Sequence, residues 1–346
     1  MIIWILIIVV LIFYKASFYK SGISLNHISK ENTDAVRGIF ILLVFASHFS
    51  QYVPAYTLPL DTMYWRIRIF LGQFVVCMFL FYSGYGVTLS LTEKGTAYQN
   101  AFLRRRVLNT LLIYDLSQVI FFLVQRGVDV SYPLKLYCLS MLAWESLGND
   151  NWYIFIILVL YMISWLCGRF KKDNVSEVAK VFVGAMVVIQ ILISAKKGDW
   201  WYNTIICYPM GVAYYYIRPK VEQYLSRSVR YWACLLLCTV CFFLMHKIWN
   251  VNLLCYEVTA ALFTVLILLL TMKFEVRNRA LRLAGRHLNE LFLTHRIPMI
   301  LLGKIPFVKE RVHLYFALSV LLAFLCAYLF GRLVDLLRGQ PVTVKT

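Results

Sequence analysis

Arg37 and His48 stand eleven residues apart, and an apolar run from Ile39 to Ala46 separates them. At 3.6 residues per turn that spacing is about three whole turns of α-helix. Both side chains then project from nearly the same face, roughly 16 Å apart along the axis. A titratable group inside a bilayer span costs on the order of 2–3 kcal/mol even on mild insertion scales. Two of them on one helix face therefore point to a polar cavity rather than to lipid. A neutral imidazole can take the proton of an alcohol as the alcohol attacks a carbonyl carbon. A guanidinium can hold a phosphate or offset a developing negative charge. An acid/base group and an anion site on one face suit either proton-transfer chemistry on a bound anionic reactant or the binding and release of an anion.

The elements that must position this pair follow from composition. Of 346 residues, 61% are hydrophobic and only 15% charged, against about 45–50% apolar in soluble domains. Surplus apolar surface on that scale predicts an all-α, polytopic membrane bundle. Its net charge of +18 comes from 35 basic and 17 acidic residues. The basic residues fall in short loops between apolar runs, a topology signal rather than a nucleic-acid footprint. Nine cysteines are scattered, most of them within apolar runs, and Cys234, Cys238 and Cys241 fall at helical spacing within one span, where they read as small buried hydrophobes, so no metal is expected.

Asn32, Thr33 and Asp34 are candidate N-caps for the helix that carries Arg37 and His48. Before it, residues 2–14 are almost wholly apolar, with Lys15 and Lys20 after them. That charge order is the reverse of a cleaved signal and predicts an accessory N-terminal span within residues 1–20. Further spans are expected near 69–91, 107–125, 152–168, 178–195, 200–217, 230–246, 252–272, 288–303 and 314–331. Pro54 and Pro59 mark an external loop, and residues 126–151 an external, partly interfacial segment. Loops at 169–177, 218–230 and 273–287, and a tail at 336–346, fall on the cytoplasmic side. The count is eleven spans, ten without the first.

Four further stretches carry chemistry-bearing residues. Phe81-Tyr82-Ser83-Gly84 puts small residues inside a span, where a helix or ligand can approach the backbone. Arg104, Arg105 and Arg106 adjoin a span boundary. Trp152 opens an apolar run as an interfacial anchor would. Gly285 to Pro298 contains Asn289, Phe292 and His295, and Pro298 cannot donate to the Thr294 carbonyl, which frees that oxygen beside His295.

In this order the stretches resemble the membrane-bound acyltransferase-3 family. An Arg and a His separated by ten residues mark its first helix, followed by a Ser-Gly-aromatic segment, an Arg-rich motif and a late Gly…His-x-Pro. The chain departs from the pattern at Asn109 and Thr110–Leu112, where a later Arg and a Pro belong, and at Asn289 and Phe292, where Ser and Tyr are usual. The resemblance covers residues 32–335 and implies a ten-helix core. It also implies an O-acyltransferase in a bacterial cytoplasmic membrane, moving an acetyl group from acetyl-CoA to a hydroxyl of a surface polysaccharide or its lipid-linked precursor. His48 is then the general base, with Arg37 and His295 beside it in the catalytic set. Arg37, Ser83 and Arg104–Arg106 are donor-binding residues; Asp34, Gly84, Trp152, Asn289 and Pro298 are supporting ones. A second reading is a transporter or flippase for a glycan or other anionic substrate, in which Arg37 and His48 bind and release cargo. Internal repeats and paired broken helices would favour it; the sequence has one broken helix and no repeat.

Overall fold

The computed structural model describes residues 1–53, 59–168 and 175–339. Pro54, most of the 169–177 loop and residues 340–346 of the tail lie outside them. Among the described residues the chain is mostly helical, and its strands form one two-stranded ribbon. The helices are α1 (Ile2–Phe13), α2 (Lys30–Phe49), α3 (Pro59–Leu71), α4 (Cys77–Phe102), α5 (Asn109–Gly127), α6 (Leu134–Met141), α7 (Asn151–Cys167) and α8 (Val175–Ser194). They continue with α9 (Cys207–Leu225), α10 (Ser228–His246), α11 (Leu253–Lys273), α12 (Arg279–Arg286), α13 (Leu288–Thr294), α14 (Arg296–Leu302), α15 (Pro306–Lys309) and α16 (Val312–Leu337). The strands β1 (Ser17–Phe18) and β2 (Phe274–Glu275) pair antiparallel, Ser17 opposite Glu275.

Five helical runs among these residues are long and apolar enough to cross a membrane: Asp61–Gly127, Glu177–Ser194, Ser228–His246, Leu253–Lys273 and Val312–Leu337. The first is long enough for more than one crossing. Exposed Leu236, Leu237, Ile191, Leu192 and Leu321 cover their outer faces, as lipid contact requires. The chain is a multi-pass, all-α membrane protein. Helix α1 is shorter than expected; its 12 residues rise about 18 Å.

Several boundaries differ from the sequence reading, each for a local reason. Helix α2 starts a turn earlier, because the Ser29 hydroxyl caps it by accepting from the Asn32 amide. The three expected caps have other work. Asn32 donates to the His27 carbonyl, the Thr33 hydroxyl to the Lys30 carbonyl, and Asp34 accepts from Arg37. Helix α4 kinks at Gly95, whose φ of 62° lies in the left-handed region open to glycine. Arg104–Arg106 lie on a π-helical turn, Leu103–Leu108, that joins α4 to α5. Asp199–Trp201 form a short 3-10 helix and residues 202–206 are turns, and α9 carries helix through Pro219 to Leu225, so the expected span at 200–217 is shifted and much of the 218–230 loop is helical.

Two reciprocal glycine crossings hold the helices that carry the site. A Cβ on Gly38 would sit 1.8 Å from the Leu281 carbonyl oxygen, and one on Gly285 1.8 Å from that of Asp34. Helices α2 and α12 thus touch backbone to backbone. Gly84 and Gly211 do the same for α4 and α9, at 2.1 Å from the Tyr208 oxygen and 2.0 Å from that of Phe81. Without a hydrophobic force between helices in lipid, close backbone approach is a principal source of association. Gly38→Ala is expected to destabilise the protein by on the order of 3 kcal/mol through overpacking. Gly86→Ala, which meets nothing within 4 Å, should leave stability unchanged or slightly raised. Thermal unfolding of both variants in detergent checks this; equal melting temperatures would contradict the crossing.

Candidate active site

Helices α13 and α14 are two halves of one expected span, 288–303, broken at His295. The cause is local. Buried Pro298 has no amide hydrogen for the Thr294 carbonyl, so the ladder is interrupted one residue before the imidazole. His295 is 2% exposed by side chain. Its Nδ1 lies 3.1 Å from the Leu291 carbonyl and 3.0 Å from that of Phe292. Carbonyls only accept, so Nδ1 carries the hydrogen and Nε2 is a bare lone pair.

That lone pair faces His48. The two rings stack with centroids 5.0 Å apart, and His48 Nδ1 is 2.8 Å from His295 Nε2. His48 Nδ1 is also 3.0 Å from Oδ2 of Asp150, at the mouth of α7. Both neighbours are acceptors, so His48 Nδ1 is protonated and Nε2 is the basic nitrogen. Among the described residues Nε2 makes no hydrogen bond. Its ring, 18% exposed, lies less deeply buried than that of His295.

Asp150 is held in turn by Arg296, the first residue of α14. The guanidinium donates from Nε to Oδ2 and from Nη2 to Oδ1, both at 2.7 Å. Its Nη1 donates to the Gln51 side chain at 2.8 Å. A bidentate fork fixes both the rotation and the distance of a carboxylate. Asp150, His48, His295 and Arg296 therefore form one connected group drawn from α2, α14, the α13–α14 break and the entry to α7.

At the other end of α2, Arg37 turns toward protein, not lipid. Its Nη1 donates to Asp34 at 3.4 Å, and its guanidinium lies 5.4 Å from the centre of the Tyr82 ring. Arg286 approaches Asp34 at 3.9 Å, placed there by the α2–α12 crossing. The Tyr82 hydroxyl is buried without a partner among the described residues. The Tyr153 ring packs on Phe292, which adjoins His295.

The amino-acid pattern of residues 31–332 matches the acyltransferase domain of the acyltransferase-3 family. The chain belongs to the acyltransferase-3 family. Searches of curated proteins and of solved structures returned no match. In this acyltransferase the residues singled out from sequence fall into three groups. His48 and His295 meet. Arg37 and Asp34 meet at the opposite end of α2, beside the Tyr82 ring, so Arg37 does not touch the imidazole pair, and Ser83 follows Tyr82 on α4. Trp152 is buried against Tyr153, and Gly84 is a helix-crossing residue, as its packing reading expected. The remainder lie elsewhere. Arg104 and Arg105 are exposed, Arg106 turns in to the Tyr98 hydroxyl at 2.8 Å, and Asn289 is exposed on α13 rather than near His295.

Sequence reasoning missed Asp150 and Arg296 as site residues. Asp150 reads as part of a polar external segment, and Arg296 as a neighbour of His295. Their signal is charge at the edge of an apolar run: one acid directly before the α7 span and one base inside another span, each costly unless paired.

Proposed function

We propose that this membrane acyltransferase is an O-acetyltransferase using acetyl-CoA, with a hydroxyl of a surface polysaccharide or its lipid-linked precursor as acceptor and His48 as the base. The observation that carries the reading is the tautomer of His48. With Nδ1–H directed at Asp150 and His295, the free Nε2 can receive a proton. The acceptor oxygen attacks the thioester carbonyl carbon while its hydrogen passes to Nε2. The tetrahedral oxyanion then collapses, the carbon–sulfur bond breaks, and the thiolate leaves with the proton returned by the imidazolium. Asp150 stabilises that imidazolium, the role of the acid in a Ser-His-Asp arrangement.

Arg37 is assigned to the donor. Coenzyme A is rich in phosphate, and the Arg37 end of α2 is the cytoplasmic end by the distribution of basic loops. The His48 end then faces the outer leaflet, where the glycan lies. A cytoplasmic thioester and an external sugar would thus approach one another along a single helix. Arg37→Ala is expected to raise the donor KM by about 10–100-fold, the loss of one charge-assisted contact, with kcat much less affected. A rise confined to the acceptor KM would move Arg37 out of the donor site.

The deciding experiment incubates purified protein with acetyl-CoA and candidate glycans and follows both thiol release and sugar mass. Acceptor-dependent thiol release with an added acetyl mass supports the assignment. Glycan movement across proteoliposomes with no mass change would support the transporter reading.

A further inference from the structure

We infer that His48, Asp150 and His295 form a binding site for a divalent transition-metal cation of the zinc class, and that its occupancy inhibits the enzyme. One ligand atom from each residue lies within 4.8 Å of the others. The atoms are His48 Nδ1, His295 Nε2 and Asp150 Oδ2, with mutual separations of 2.8, 3.0 and 3.6 Å. The centre of that triangle is about 1.9 Å from all three corners. A small displacement out of the plane brings every ligand to about 2.0–2.1 Å, the range of Zn–N and Zn–O bonds. Two imidazoles and a carboxylate are a common three-ligand set for zinc and iron(II).

The surroundings fit a metal as well. His295 donates its other ring nitrogen to two backbone carbonyls, the usual orienting contact of a ligating histidine. Arg296 holds the Asp150 carboxylate in place. The same guanidinium offsets the only negative charge in the set, so the site suits a cation that binds and leaves rather than a resident structural ion.

Inhibition follows from the tautomer. To ligate through Nδ1, His48 must move its ring hydrogen to Nε2, with no net change in protonation. Nε2 then donates rather than accepts and can no longer take the acceptor's proton. This last step rests on the base assignment above; the binding site itself does not.

Cobalt(II) is the probe, because its visible bands intensify in a low-coordinate nitrogen and oxygen site. Chelator-stripped protein in detergent should develop such bands on titration with cobalt(II) chloride and lose them on addition of zinc chloride, but not magnesium chloride. His295→Gln and Asp150→Asn should each weaken cobalt binding by at least about 10-fold, whereas His313→Gln, on the exposed start of α16, should bind as the parent does. Stripped enzyme should transfer acyl groups, and micromolar zinc should stop it reversibly. No cobalt bands in the parent protein, or bands retained in both ligand variants, overturns the site even if turnover is normal. Cobalt binding without any turnover leaves the site standing and removes the acetyltransferase reading. Turnover that requires added zinc overturns the inhibitory role.

Discussion

His48→Ala is expected to lower kcat for acyl transfer by about 10³-fold, within the range that a positioned general base supplies, while the protein still folds and still binds the acyl donor. The expectation rests on position. His48 ends a helix whose placement depends on Gly38 and Gly285, not on the imidazole, so its loss removes chemistry without removing the scaffold. The half-buried ring packs on His295 from one side, and truncation opens space near an already accessible part of the bundle. Acceptor-dependent thiol release measures the loss, and donor binding measured separately shows that the site persists. Turnover within a few-fold of the parent would sink the base assignment.

Asp150→Asn should be nearly as damaging, with a fall of about 10²–10⁴-fold. The size follows from the wrong-tautomer effect of the equivalent change in Ser-His-Asp enzymes. An asparagine amide can point its NH2 at His48 Nδ1. His48 would then accept through Nδ1 and hold its hydrogen on Nε2, where the base must be bare. A second cost is stability. Arg296 would lose its carboxylate partner, and breaking a buried ion pair from one side costs about 3–5 kcal/mol. The two effects separate experimentally. If Asp150 acts only through His48, the double variant His48→Ala/Asp150→Asn should be no slower than His48→Ala, because residues of one catalytic unit are strongly non-additive. Multiplying losses would show that Asp150 acts elsewhere. Thermal unfolding reports the ion pair independently of turnover.

Local periodic properties were legible before any coordinates. Apolar runs, positively charged loops and polar breaks are summed over a turn or a span, and they determine helix against strand and membrane against water. The eleven-residue spacing of Arg37 and His48 was sufficient to place both on one face, because an unbroken α-helix has a fixed pitch. The break at His295 was likewise visible, since a proline disrupts the bonds of its own chain wherever it sits. Helix limits were less legible. A cap belongs to whichever side chain reaches the first free amides, and Ser29 was a turn ahead of the three candidates.

What only the tertiary structure decided is which side chains stand beside His48. Asp150 and Arg296 are distant in sequence from it and from one another, and their encounter depends on the depth and rotation of three helices. Those are settled by packing: glycines that let backbones touch and aromatic rings that fill the spaces between them. A charge at the end of an apolar run has the same composition whether it faces water or completes a buried pair. The direction of the His48 hydrogen is likewise a property of neighbours, since an imidazole has two equivalent places for it until acceptors on one side choose.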